Sequence, residues 1–360
     1  ARLARLTHEW ASELEAPPER RARLEVALAE GSSDPGLTLL LAHELLELGD
    51  TSARVRRLVR GVLDAHGARG PAYMLRAKIA HERGELDDSL AFARAATCLE
   101  PTHDAAARTY FLTAYVSRRA DEALAFLRRR ASRWLPRSGE PSVMLVDALT
   151  ALRRYGDAEA VLDEALDARP DDAPLALAAA DWCLSTGRSE RSEALRERAR
   201  DGVSAAQLAG CRAKLHASRG DGESALAAYA QVLAAEPLDI AAHAEVVRLL
   251  SLSEGLTAAE QHLAPFLERF PRHVGLRELR ARVARRQDSP AVDEALAELA
   301  EDGNRWALAE QARLHIERGS PAEAVTSCDA ALARWPNDAT ILVVRSDAES
   351  VLGDATATLR

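Results

Sequence analysis

The side chains able to do chemistry in this sequence are numerous but scattered. Three His-Glu dipeptides occur, His8-Glu9, His43-Glu44 and His81-Glu82. A zinc site of the HExxH kind needs a second histidine one turn further on, so that both imidazoles reach one ion from a single helical face. None of the three dipeptides has that partner. His43 and His81 are therefore read as polar residues on helix edges, not as ligands. Adjacent carboxylates stand at Asp87-Asp88, Asp163-Glu164, Asp171-Asp172 and Asp293-Glu294. Each falls in a turn or on a helix surface, where acids near a helix start complement the macrodipole. Solvated structural acids are expected there, not an acid–base dyad. The four cysteines, Cys98, Cys183, Cys211 and Cys328, form no CxxC pair. That spacing excludes a zinc ribbon and a thioredoxin-type redox pair. Only Lys78 and Lys214 are lysine, and neither lies in a GxxxxGK[ST] frame; GxGxxG and GxSxG are also absent. No catalytic residue, no metal ligand and no cofactor is expected, and the chain is read as non-enzymatic.

The composition points to helices. Of 360 residues, 47% are hydrophobic and 4% aromatic, so the core must be built mainly from Ala and Leu, strong helix formers. The formal net charge of −9 argues against a general nucleic-acid binder, which would be basic. One basic region interrupts the acidity. Residues 51–150 carry 17 basic against 11 acidic residues, densest at Arg128-Arg129-Arg130 with Arg133 one turn on. No aromatics interleave for base stacking, so a solvated helix face is expected. No stretch approaches the ~18 apolar residues of a membrane span. Scattered cysteines act as small buried hydrophobes and favour a reducing compartment, hence the cytoplasm. The sequence opens on Ala1-Arg2-Leu3 without Met and without the apolar core of a signal peptide. A processed or excised chain is expected, which leaves the periplasm open.

The elements that would position these residues repeat. Gly84 to Pro101, Gly220 to Pro237 and Gly319 to Pro336 each span 17 residues. In every case a helical stretch precedes the glycine and another separates it from the proline, which cannot continue a helix. Placing glycine at position 15 and proline at position 32 gives unit starts at 35, 70, 104, 139, 173, 206, 240, 274, 305 and 339. Position 20 is then Ser89, Ala123, Ala158, Ser192, Ala225, Ala259 and Ala324, all small. Position 8 is Ala42, Ala77, Ala180, Ala213, Ala281 and Ala312 in six units. Small residues at both points let two helices approach closely. Arg118 stands where glycine is expected, and the 274 unit is short, with its helices trimmed around Gln287–Pro290.

This pattern resembles the tetratricopeptide repeat family over residues 35–353. Residues 1–34 read as a degenerate helical pair with Pro17-Pro18 in its turn, residues 35–338 as tandem repeats, and residues 339–360 as a truncated final repeat or cap. The resemblance implies an all-α right-handed α-solenoid without a domain boundary, since each repeat completes its core on its neighbours. It also implies that partners lie in a concave groove against helix A positions 2, 5, 6, 9, 12 and 13. Position 9 holds Lys78, Lys214, Arg248, Arg282 and Arg313, with Asp147 and Asp181 in the middle units. Arg285 and Arg286 add cations at positions 12 and 13, and Met74, His81 and Tyr115 make a mixed stretch earlier. Family members that clamp a terminal carboxylate use paired asparagines. Here only Asn304 and Asn337 exist, and neither falls in the groove. The implied function is a non-catalytic protein-interaction scaffold or adaptor that binds a protein or peptide, with an acidic segment facing the cation row, no nucleic acid and no membrane insertion. The substrate-recruiting repeats of a larger bacterial transferase or hydroxylase are one alternative. A periplasmic scaffold of exopolysaccharide export is another.

Overall fold

A computed structural model describes residues 17–29, 34–102 and 104–353. Among them stand twenty α-helices and no strand. In chain order they are α1 (Pro17–Ala29), α2 (Pro35–Glu47), α3 (Ala53–His66), α4 (Gly70–Glu82), α5 (Leu86–Leu99), α6 (Asp104–Val116) and α7 (Ala120–Trp134). Then follow α8 (Glu140–Ala151), α9 (Tyr155–Ala168), α10 (Ala173–Ser185), α11 (Ser189–Ala199), α12 (Ala205–Ser218), α13 (Gly222–Ala235) and α14 (Ile240–Ser253). The series closes with α15 (Leu256–Arg269), α16 (Val274–Arg286), α17 (Ala291–Glu301), α18 (Arg305–Glu317), α19 (Pro321–Leu332) and α20 (Ala339–Val351). Even-numbered helices from α2 onward are the first of each pair, helix A; the odd-numbered helices that follow them are helix B. The first helix expected before Pro17 and the second expected after Gly353 lie outside the described residues. Pro17 itself opens α1 instead of sitting in a turn. Proline suits a first helical turn, where its missing N–H needs no partner.

Local chemistry sets the helix boundaries. Helix A ends in a residue with positive φ, which lets the chain reverse and close the last carbonyls. At the first pair the N–H of Gly49 donates to the Leu46 carbonyl, and that of Asp50 to the Leu45 carbonyl, both at 2.9 Å. This is the Schellman arrangement, for which glycine is the natural residue. Arg118 (φ 58°), Arg153 (φ 58°) and Asp288 (φ 53°) take the same conformation without being glycine. The turn after α6 forms all the same, with the Arg119 N–H donating to the Ala114 carbonyl at 2.7 Å. The proline-containing turns end helix B and set up the next helix A. Two residues beyond Pro170, Pro271 and Pro336 stand Asp172, His273 and Asp338, each accepting from an N–H of the helix it precedes.

The small residues at positions 8 and 20 are where the pairs close. Ala42, Ala77, Ala213, Ala281 and Ala312 are fully buried, and no residue at position 20 exceeds 1% exposure where Ser or Ala stands there. Ser89 donates its hydroxyl to the Ala77 carbonyl at 2.9 Å, so even a polar residue is satisfied at the close approach.

Contacts divide the chain into two compact units, where the sequence suggested an undivided array. Among the described residues, one comprises 17–29, 34–67, 78–85 and 254–353; the other comprises 68–77, 86–102 and 104–253. The second unit packs around Tyr110, Leu127, Met144, Leu149, Leu162 and Trp182. In the first, Trp335, Ile341 and Val344 complete one cluster and Leu296, Leu299 and Leu314 another.

Cations tie helix ends to the following repeat. Arg130 belongs to the run expected as a solvated face, yet its side chain is 3% exposed. Its Nε donates to the Pro101 carbonyl and its Nη2 to Asp104, both at 2.8 Å. Arg198 repeats the device on the Pro170 carbonyl at 2.7 Å. His243 is fully buried, with Nε2 2.9 Å from the Pro237 carbonyl. A carbonyl only accepts, so Nε2 carries the hydrogen. Helix C-terminal carbonyls lack intrahelical partners, and a donor there satisfies them.

Two outcomes follow for stability. Arg130→Ala strands a carboxylate and a carbonyl and lowers unfolding free energy by about 3 kcal/mol, whereas exposed Arg129→Ala changes it by less than about 0.5 kcal/mol; chemical denaturation of the two variants compares them. Burial holds the His243 imidazole below its ordinary 6.5. The unfolded chain therefore takes up the proton first. The stabilising contribution is complete above pH 6.5 and is lost as pH falls through the lower folded value. Thermal unfolding across that range should show a falling Tm in the parent and a flatter profile in His243→Gln.

Candidate protein-interaction surface

Consecutive A helices lie side by side within each unit, as α6 with α8, α8 with α10, α10 with α12, and α18 with α20. Position 9 of one repeat thus stands near the A-helix face of the next, and charges at positions 5, 9 and 13 pair across neighbouring A helices. In the second unit the Lys214 ammonium contacts Asp181, and Arg108 Nη2 is 3.1 Å from Asp147. In the first, Lys78 lies 3.6 Å from Glu47, whose carboxylate also stands 3.9 Å from His43 Nδ1. These are partly exposed pairs of the kind that contribute about 0.2–1 kcal/mol each.

The cations anticipated as an open row are mostly neutralised. Arg248 pairs with Glu245 at 2.9 Å in the second unit. In the first unit Arg282 lies over the Trp306 ring at 4.3 Å and near Glu278, and Arg313 contacts Glu310. Arg285 bonds Glu317 at 2.5 Å. Arg286 is exposed and has no ion pair among the described residues. His81 is exposed as well. Acids on the same and adjacent helices, Glu278 and Glu310 among them, are the built-in partners of the row. The two asparagines are used elsewhere: Asn304 caps α18, and Asn337 donates to the Glu82 carbonyl.

An apolar patch takes the place of open charge. Leu112 and Tyr115 are 54% exposed and Val116 is 60% exposed, all on α6. They follow i, i+3, i+4 spacing, so they form one stripe on one face. The opposite side of the same helix buries Ala106, Ala107, Tyr110, Phe111 and Ala114. From the sequence, Tyr115 was singled out and Leu112 fell at position 9 of the same row; Val116 was not anticipated.

The site offers little reactive chemistry. Among the described residues, no group of three or more His, Cys, Asp or Glu is placed to hold a metal ion. No described helix is long and apolar enough to cross a membrane. Cys98 is exposed, while Cys183, Cys211 and Cys328 are buried. Burial, with the Asp181 carboxylate beside it, pushes the Cys211 thiol up to about 12. Burial likewise raises Cys328 to about 11 and Cys183 above its usual value. A thiolate is the nucleophile, so these three are inert. An aromatic disulfide reagent at neutral pH should modify Cys98 alone in the native protein and reach all four thiols only on unfolding; rapid native modification of Cys211 would contradict this.

Neither a protein-family model nor a curated protein sequence matches the chain. Solved structures resemble it in fold. The APC/C hetero-tetramer Cut9–Hcn1 is 12% identical with a TM-score of 0.39, over 77% of this chain and 54% of that one, so the chain spans about half the length of that relative. A tetratricopeptide repeat protein from Parabacteroides merdae is 16% identical with a TM-score of 0.40, over 65% and 91%. Human IFIT1, solved as a dimer with PPP-AAAA, is 14% identical with a TM-score of 0.42, over 96% and 94%. With its paired helices, close approach at positions 8 and 20 and positive-φ turn between A and B, the chain is, over its described residues, an all-α helical-repeat protein.

Proposed function

We propose that this protein is a non-catalytic interaction scaffold whose A helices bind an extended segment of a protein partner. The observation that carries this reading is the exposed stripe Leu112, Tyr115 and Val116. Each exposed apolar side chain costs solubility and gains nothing for the core behind it. Aromatic and aliphatic anchors of this kind supply most of the energy of a protein interface, while surrounding polar pairs exclude water and set register. The paired charges suit that second role. An acidic partner residue meets Arg286 directly, or replaces Glu245, Glu278 or Glu310 beside Arg248, Arg282 or Arg313. Exchange of one carboxylate for another is nearly balanced, so the row selects for acidic segments without binding them tightly on its own. Lys78, His81 and Lys214 contribute in the same way.

The test is affinity capture from the source cell with quantified partner recovery. Leu112→Ser combined with Tyr115→Ala should reduce recovery at least tenfold, as the loss of a hot spot of about 2 kcal/mol implies. Arg248→Glu with Arg282→Glu should reduce it less, and Arg129→Glu on helix B should leave it unchanged. Loss of capture in Arg129→Glu alone would move the interface to the basic face of α7.

A further inference from the structure

The turns that close helix A share a positive φ, yet they differ in what surrounds them. At Gly187, Gly220, Gly255, Gly319 and Gly353, φ lies between 75° and 96°, and a Cβ would meet nothing within 4 Å. Glycine serves only the backbone there. Gly49, at φ 84°, is different: a Cβ would come within 2.9 Å of Arg334 Cβ and 3.0 Å of Trp335 Cε2. At Gly84 it would stand 3.3 Å from the Asn337 amide. The turns of the first two repeats are therefore pressed against a turn late in the chain.

That seam lies within one compact unit and joins residues far apart in sequence. Asn337 Nδ2 donates to the Glu82 carbonyl at 2.7 Å, across 255 residues. Arg305 Nη1 donates to Glu82 Oε1 at 2.9 Å and approaches Asp338 at 3.8 Å. Leu48 reaches toward Gly303, where a Cβ would be 3.4 Å from its Cδ2. Trp335 is fully buried at the centre, with the Arg305 guanidinium 5.0 Å from its ring.

Its construction is unlike that of the repeat stack. Neighbouring repeats bury continuous apolar helix faces. The seam is made from turns: one partly exposed ion pair, one side-chain hydrogen bond and the fit of Gly49 on an indole. It also contains an unmet donor, since Trp335 Nε1 is buried without a hydrogen-bond partner. A buried unsatisfied donor is unfavourable, and admitting water relieves it. Repeat arrays hold together through neighbour contacts, so a non-neighbour contact can part without unfolding any repeat.

We propose that this seam is a reversible latch. Closed, it pins the turns at Gly49 and Gly84 to the Trp335–Asp338 turn. Open, it frees Glu82, Arg305 and the Trp335 indole edge for solvent or a partner while every repeat stays folded. The Arg305–Glu82 pair is open to solvent on one side, so salt shifts the balance toward the open form.

The experiment is pulsed electron spin distance measurement between labels at Glu85→Cys and Ala333→Cys, in a Cys98→Ser background. Both positions are exposed and flank the seam. The parent at about 0.01 M salt should give one short distance; at about 1 M, where screening acts within about 3 Å, a second and longer population should appear. Gly49→Ala should populate the longer distance at low salt with its helical circular dichroism intact. Gly220→Ala, which carries the same φ strain without a neighbour, should keep the short distance alone. Arg305→Gln should match Gly49→Ala, and it reads the same seam if the glycine variant does not fold. A short distance retained in both Gly49→Ala and Arg305→Gln overturns the proposal, as does opening that occurs only with loss of helical signal, because the seam is then ordinary core. A parent showing only the long distance at low salt overturns it as well.

Discussion

Everything else in this fold depends on how closely two helices of a pair approach at positions 8 and 20. Ala77 and Ser89 illustrate the constraint. Both are fully buried, and the serine hydroxyl has no room to reach anything but the backbone carbonyl at position 8. At the Ala77–Ser89 contact a side chain larger than serine would meet the facing helix, and interiors packed at crystal-like density do not absorb such a change locally. Once the pair is fixed at that spacing, the remaining apolar residues must find partners on the next pair. Leu127 and Leu149 do so in the second unit, and Leu296 and Leu314 in the first.

This constraint is also why the fold could be read from the sequence. Small residues and turn formers recur at fixed offsets, and neither depends on distant contacts. Gly84 and Pro101 announce their turns by backbone chemistry alone. Arg118, Arg153 and Asp288 break the pattern in letter and keep it in conformation, with φ between 53° and 58°. The Schellman bonds and the packed pair on either side over-determine that turn, so it forms whatever the residue. Arg130 was misread for the opposite reason. Within a run of three arginines its burial is invisible, because what decides it is a carbonyl at Pro101 and a carboxylate at Asp104 in other elements.

The candidate surface was legible in position and not in state. Helix periodicity places Lys214, Arg248, Arg282 and Arg313 on the A helices correctly. Arg248, Arg282 and Arg313 pair with acids one turn back on their own helices, whereas the Lys214 pair depends on inter-repeat register. Asp181 is one repeat away from Lys214 in sequence and against it in space. A row of like charges at one repeat position would repel itself, so pairing to acids on the same or adjacent helices is the arrangement that lets such a row persist. The apolar stripe on α6 had no such counterweight, and there the sequence understated the exposure of Leu112 and Val116.

Long-range closure lies furthest from what a repeat pattern conveys. A repeat encodes its neighbours; it says nothing about a turn seven or more units away. Gly49 and Gly220 are indistinguishable as sequence, each the glycine at the end of a helix A. In the folded unit one rests on an indole and the other faces open space. The difference comes from residues that break the pattern locally: a tryptophan just before Pro336 and an asparagine just after it, the latter one of only two in the chain. Trp335 completes the local cluster with Ile341 and Val344, and yet its indole edge also serves a distant turn. Trp335 buries a donor without a partner, and the side chain of Asn337 bonds Glu82 instead of its own helix. A polar group left unpaired in its own unit, or bonded outside it, breaks local consistency, so departures from the repeat consensus, and not the consensus itself, mark where such an array does something beyond stacking.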